Sequence, residues 1–230
     1  MQQPVSIIQQ TEDWVAINKP AGTSIHSEQN EGLVAQLKQD WSCEFLAPVH
    51  RLDKVTSGCL LLAKHSQAAS RLSQCFQQRT VEKYYLALTR GKPSKKQGTI
   101  RGDMIAARRG SWRLTQQQSD PAITQFFSYG FEQGLRLAVL KLITGKTHQI
   151  RVAMKSLGAP IWGDMRYGQN ELNQSADRCY LHCWQMRFMD GDEEVLLECL
   201  PESGEHFLAD SFIHHEQIIA GPTELSWPRI

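Results

Sequence analysis

Apolar, β-branched and aromatic residues recur along the chain in short runs, at 5–8, 14–17, 59–63, 84–89, 123–129 and 135–143. Turn formers such as Asn18-Lys19-Pro20-Ala21-Gly22 and Arg90-Gly91-Lys92-Pro93 separate them. Runs of that length, bounded that way, predict strands. Leu135, Leu137, Val139 and Lys141 alternate with Arg136, Ala138, Leu140 and Leu142, a strand pattern apolar on both sides and so mostly buried. Two segments break the strand rhythm. Ala69, Leu72, Cys75 and Phe76 fall at helical spacing, predicting a helix capped by Ser66 and running to about Gln78. Ile150, Ala153, Met154 and Leu157 form the buried stripe of a second helix, from about Thr147 to Leu157, stopped by Gly158 and Pro160. Its His148 and Arg151, three apart, share a side away from that stripe. The pattern is that of a strand-rich α+β protein with few helices.

Composition narrows the class. The chain has 230 residues, enough for a sizeable core, with 41% hydrophobic and 21% charged residues, ordinary for a soluble globular protein. No run approaches the roughly 18 apolar residues of a membrane span, and MQQPVSIIQQTEDW has neither the basic start nor the apolar segment of an export signal. Six scattered cysteines without such a signal predict cytoplasmic, reduced thiols. The net charge of +1 conceals an asymmetry. Ten Lys or Arg lie between Arg79 and Arg113 against only Glu82 and Asp103, whereas ten acids lie from Asp190 onward against Arg229. A concentrated basic segment in a near-neutral chain suits a polyanion, although two solvated faces of opposite sign would give the same count.

The densest chemistry is His50-Arg51-Leu52-Asp53-Lys54-Val55-Thr56-Ser57-Gly58, immediately before the apolar run 59–63. It sets a carboxylate in a loop anchored to a buried strand. Arg51 and Lys54 nearby favour the ionised form, since an adjacent opposite charge lowers a carboxyl pKa by roughly 1–3 units. Such an Asp suits a nucleophile, a general base or a metal ligand. Cys179, His182 and Cys183 carry zinc-type donors, but without a second ligand pair and among apolar neighbours they read as core. His50 and His148 read as loop-supporting hydrogen-bond partners before proton shuttles. Trp112, within Arg108-Arg109-Gly110-Ser111-Trp112-Arg113, suits base stacking or edge packing equally.

Together with Lys83-Tyr84-Tyr85-Leu86-Ala87 and Thr144-Gly145-Lys146-Thr147-His148-Gln149-Ile150-Arg151, the Asp53 loop forms an ordered set that resembles the RluA-type pseudouridine synthases. The Asn18-Lys19-Pro20-Ala21-Gly22 turn, the Gly163-Asp164-Met165-Arg166-Tyr167-Gly168 loop and Leu181-His182 extend the likeness over about residues 5–200. The resemblance implies one catalytic domain over 1–230, with a mixed, mainly antiparallel sheet, a few flanking helices and an acidic extension over about 201–230. It implies isomerisation of specific uridines in structured rRNA or tRNA, by a monomer, with no cofactor, metal or membrane. Asp53 becomes the catalytic carboxylate, Tyr85 the residue facing the target base, and Arg151 the ion-pair partner of Asp53. Arg51, Thr56, Lys83, His148, Arg108 and Arg109 become candidates for holding the RNA. Asp53 either attacks C1′ or takes the C2′ proton. A non-catalytic RNA-binding or RNA-folding factor is the alternative.

Two departures stand out. Ser119-Asp120-Pro121-Ala122-Ile123-Thr124 has Asp120 where the family commonly has Lys, so a backbone contact made by that Lys would be missing. No stretch is left for a separate S4-type module, so the catalytic domain is expected to find its RNA alone or with insertions such as 92–118.

Overall fold

A computed structural model describes residues 5–26, 32–168 and 175–229. Residues 1–4, part of the segment read for an export signal, lie outside it. The α+β expectation holds: strands predominate, their pairings are mainly antiparallel and helices are few. The contacts gather into two compact units, Met1–Lys83 with Cys183–Pro201, and Tyr84–His182 with Glu202–Ile230.

In the first unit, β1 (Ser6–Gln10) pairs antiparallel with β2 (Trp14–Lys19), and β2 with β4 (Ser57–Ala63), in the register Trp14↔Ala63 to Lys19↔Gly58. The short β3 (Ala47–Pro48) also pairs with β4, whose other neighbour is β11 (Leu181–Asp190), followed by the hairpin partner β12 (Glu193–Glu198). Every residue of β2 and β4 is buried, the mark of strands covered on both faces. Gly58 is required at the start of β4. Its φ is +111°, and a Cβ there would stand 2.2 Å from the Cys183 carbonyl oxygen. Helix α1 (Leu33–Asp40) buries Leu33, Val34 and Leu37. Helix α2 (Ser66–Gln77) buries Ala68 and Leu72. Its cap is His65 rather than Ser66: the imidazole Nδ1 accepts the Ala68 N–H at 3.2 Å, and Ser66 is already helical.

In the second unit, β5 (Glu82–Arg90), β10 (Leu135–Leu142), β9 (Ala122–Gly130) and β6 (Gln97–Gly102) are neighbours in that order, each pair antiparallel. A separate hairpin, β7 (Met104–Ala106) with β8 (Trp112–Leu114), carries Arg108 and Arg109 at its tip. Helix α3 spans Gln149–Ser156, two residues later than the apolar spacing predicts. The reason is His148, whose left-handed backbone (φ 60°) stands at the cap and cannot continue a helix. Two short helices, α4 (Asp210–Ile213) and α5 (Glu216–Ala220), lead to a tail whose Trp227 ring packs against Tyr84 and Phe127. The acidic segment after 201 is therefore built into this unit's core through Phe207, Phe212 and Ile218.

Candidate active site

In the first unit the loop bearing Asp53 is braced from below. His50 is half-buried, stacks on Phe76 (centroids 4.6 Å apart, planes at 13°), and its Nε2 accepts the Leu61 N–H of β4 at 3.0 Å. Burial, reinforced by the nearby Lys83 charge, pushes its pKa down to about 3, so the ring is neutral and free to accept. Within the loop the Thr56 N–H donates to the Asp53 carbonyl at 3.0 Å. The Lys54 carbonyl accepts the Gly22 N–H at 2.8 Å and the Lys19 ammonium at 3.4 Å. Lys19 is fully buried and also donates to the Pro20 and Thr23 carbonyls at 2.9 and 2.8 Å. This lysine, to which sequence reasoning assigned no role, ties the Asn18–Gly22 turn to the Asp53 loop. Asp53 is half-buried and Arg51 exposed, whereas Thr56 lies beneath the surface. Lys83 is buried over the Phe76 ring at 5.8 Å, and burial lowers its pKa.

In the second unit the strand register sorts the two tyrosines. Tyr84 stands opposite Lys141, whose ammonium lies 5.2 Å from its ring centre, with Trp227 at 5.8 Å. Neighbouring strand residues face opposite sides, so Tyr85 belongs to the other face of β5, where it too is buried.

Arg151 is buried, contrary to the expectation of a helix side turned from the core. Two of its donors account for that: Nε reaches Asp164 Oδ2 at 2.8 Å and Nη2 reaches Oδ1 at 2.9 Å. Asp164 is itself 1% exposed, and its Oδ1 also accepts the N–H groups of Arg166 and Tyr167 at 2.9 and 3.1 Å. Gly163 makes the turn into this loop possible, with φ +77° and the Arg178 carbonyl oxygen 1.8 Å from where a Cβ would stand. Asp164 thus fixes the Arg151 guanidinium, a hold to which the sequence reading assigned no residue beyond Asp53. The signal was present in Gly163-Asp164-Met165-Arg166-Tyr167-Gly168.

The rest of the Thr144–Arg151 segment is equally tied. The Gln149 amide lies buried, its Oε1 accepting from the Thr144 hydroxyl (2.8 Å) and the Lys146 N–H (3.0 Å), its Nε2 donating to the Ile123 carbonyl (3.0 Å). His148 Nδ1 lies 2.8 Å from the Tyr167 hydroxyl. Asp120, the departure at the 119–124 turn, accepts the Lys146 ammonium at 2.6 Å. The turn backbone is held by Asp103, which accepts from the Ser119 and Asp120 N–H groups at 3.0 Å. Arg79, Lys92, Lys95, Lys96, Arg101, Arg108, Arg109 and Arg113 are all exposed, and Trp112 is half-buried. Cys179, His182 and Cys183 are buried in or beside β11, as a core reading requires.

The chain matches the family described as RNA pseudouridylate synthase over residues 13–156. It is 44% identical over 215 residues to an uncharacterized RNA pseudouridine synthase of Haemophilus influenzae, covering 93% of this chain and 95% of that one. It is 34% identical over 187 residues to a protein of Rickettsia bellii named ribosomal large subunit pseudouridine synthase C, covering 76% of this chain and 61% of its relative. The structure of human RNA pseudouridylate synthase domain containing 1 superposes with a TM-score of 0.74 at 28% identity, over 85% of this chain and 83% of that one. The family match, the near full-length relative and the shared fold together establish that this chain belongs to the RNA pseudouridylate synthases.

Proposed function

We propose that the enzyme converts specific uridines of structured rRNA or tRNA to pseudouridine, with Asp53 as the catalytic carboxylate. The name of the Rickettsia relatives favours rRNA of the large ribosomal subunit as the place to look first. The reaction breaks the C1′–N1 bond, turns the freed uracil and rejoins it through C5, whose hydrogen leaves as N1 gains one. Asp53 attacks C1′ to give an ester, or removes the C2′ proton to give a glycal; both roles require an ionised carboxylate. Arg151 is the cation assigned to maintain it. The buried, two-point hold of Asp164 on Arg151 is the observation that carries this reading, because a guanidinium oriented at such cost to burial serves poorly as mere packing. Tyr85 supplies the face on which uracil stacks, an interaction worth about 1–3 kcal/mol per base. A uridine inside a helix is out of reach, so it is flipped out, least expensively from a loop. Arg51, Arg108 and Arg109, all exposed, are assigned to the flanking phosphates.

The test uses RNA tritiated at uracil C5. Wild-type protein releases tritium and Asp53→Ala does not; an Asp53→Ala protein releasing tritium at the wild-type rate refutes the assignment. Wild-type protein that binds RNA yet releases nothing would instead be an RNA-binding factor. Mapping pseudouridine at single-nucleotide resolution, with and without the gene, identifies the target.

A further inference from the structure

In the second unit a single hydroxyl joins the basic hairpin to the helix that carries Arg151. Tyr167 is 3% exposed. Its oxygen accepts the Trp112 N–H of β8 at 2.9 Å and lies 2.8 Å from His148 Nδ1 at the start of α3. Its ring lies under two α3 cations, with the Arg151 guanidinium carbon 5.0 Å and the Lys155 ammonium 5.8 Å from the ring centre. The preceding residue grips the other end of the hairpin: Arg166 Nη1 donates to the Arg109 carbonyl at 2.6 Å. Both residues send their backbone N–H groups to Asp164 Oδ1, the oxygen that also receives Arg151 Nη2. Residues 164–167 therefore hold the hairpin at its tip and flank, and hold Arg151 at the opposite end, through hydrogen bonds of 2.6–3.1 Å.

We propose that Tyr167 is a positioning residue that makes the setting of Arg151 depend on engagement of the 104–114 hairpin by RNA. This rests on the assignment of Arg151 to the Asp53 chemistry. The hairpin tip is suited to the input. Arg108 and Arg109 are exposed there, and Arg109 adopts a left-handed backbone (φ 56°) that is uncommon for a residue with a side chain. Phosphate contact at the tip loads the Arg109 carbonyl and the Trp112 N–H, and both loads arrive on the loop that fixes the guanidinium. A brace that served stability alone would move RNA affinity and rate together, or neither. A positioning link moves the rate at saturating RNA while leaving affinity in place.

The experiment compares wild type, Tyr167→Phe, the double variant Arg108→Ala with Arg109→Ala, and all three changes combined. The substrate is a pool of unmodified rRNA and tRNA transcripts, and Kd and the single-turnover rate at saturation are measured. Tyr167→Phe keeps the ring under the cations and removes the hydroxyl. Its saturated rate falls about ten-fold with Kd within about two-fold, the scale on which small misplacements act. The hairpin double variant raises Kd and also lowers the saturated rate about ten-fold, and the combination is no slower than about ten-fold because both changes cut one link. A wild-type saturated rate for Tyr167→Phe, or a combined loss of about a hundred-fold, overturns the proposal. If the wild-type protein makes no pseudouridine, the proposed function falls and amide exchange decides the link. RNA then slows exchange over 148–152 in wild type but not in Tyr167→Phe, and equal slowing in both overturns it.

Discussion

Asp164 and Arg151 form a two-point ion pair sealed from water, at 2.8 and 2.9 Å with side-chain exposures of 0% and 6%. The pair fixes the plane as well as the charge of the guanidinium, which Lys could not reproduce. Removing one member leaves the other buried and uncompensated, costing about 3–5 kcal/mol. Asp164→Ala is therefore expected to lose that much in urea unfolding, along with tritium release. Asp164→Asn keeps an acceptor and should recover part of the stability but little of the rate. An Asp164→Ala protein of native stability would show that the pair contributes nothing to the fold.

Gly58 closes the Asp53 loop at a place where no side chain fits, with φ +111° and the Cys183 carbonyl oxygen 2.2 Å from where a Cβ would stand. Gly58→Ala combines backbone strain with a clash against main chain that cannot swing aside. The expected loss is at least about 3 kcal/mol, read from the denaturation midpoint. Gly130→Ala, where a Cβ meets nothing within 4 Å, is the control and should unfold near the wild-type midpoint.

Asp120, whose side chain is 76% exposed, accepts the Lys146 ammonium at 2.6 Å. An exposed pair of this kind contributes no more than about 1 kcal/mol, so Asp120→Lys should barely change stability. It should instead place a positive charge beside Lys146 and tighten RNA binding. The slope of log affinity against log salt should steepen by about one to two phosphate contacts. Unchanged affinity and slope would place this turn away from the RNA.

The strands were legible because each apolar run is short and ends in turn residues: all six predicted runs are strands, and 59–63 and 135–143 are buried along nearly their whole length. The helix starts were not, since His65 caps through an imidazole and His148 through a left-handed backbone, and neither shows in apolar spacing. Of the site, the residue types were legible and the supports were not. Lys19, Asp164 and Tyr167 act through contacts with residues distant in sequence, and burial of a charge depends on a partner that periodicity cannot name. The same limit hid the burial of Arg151, whose position three residues from His148 places it on a helix side but says nothing of Asp164, the carboxylate that holds it there.

His50 gives the first unit a pH dependence of definite sign. Its imidazole is neutral when folded, held at a pKa of about 3 by burial and by Lys83, and in the unfolded chain it titrates near 6.5. Between these values the unfolded state binds the extra proton, so the stability that His50 confers is complete above about pH 6.5 and is lost as pH falls toward 3. Lowering pH from 7 to 5 should remove about 2 kcal/mol through this group alone. His50→Gln retains an acceptor for the Leu61 N–H but no longer titrates, and its stability should change correspondingly less over the same interval. Urea midpoints at pH 7 and pH 5 for the two proteins make the comparison, and parallel losses would mean that His50 is not the group responsible.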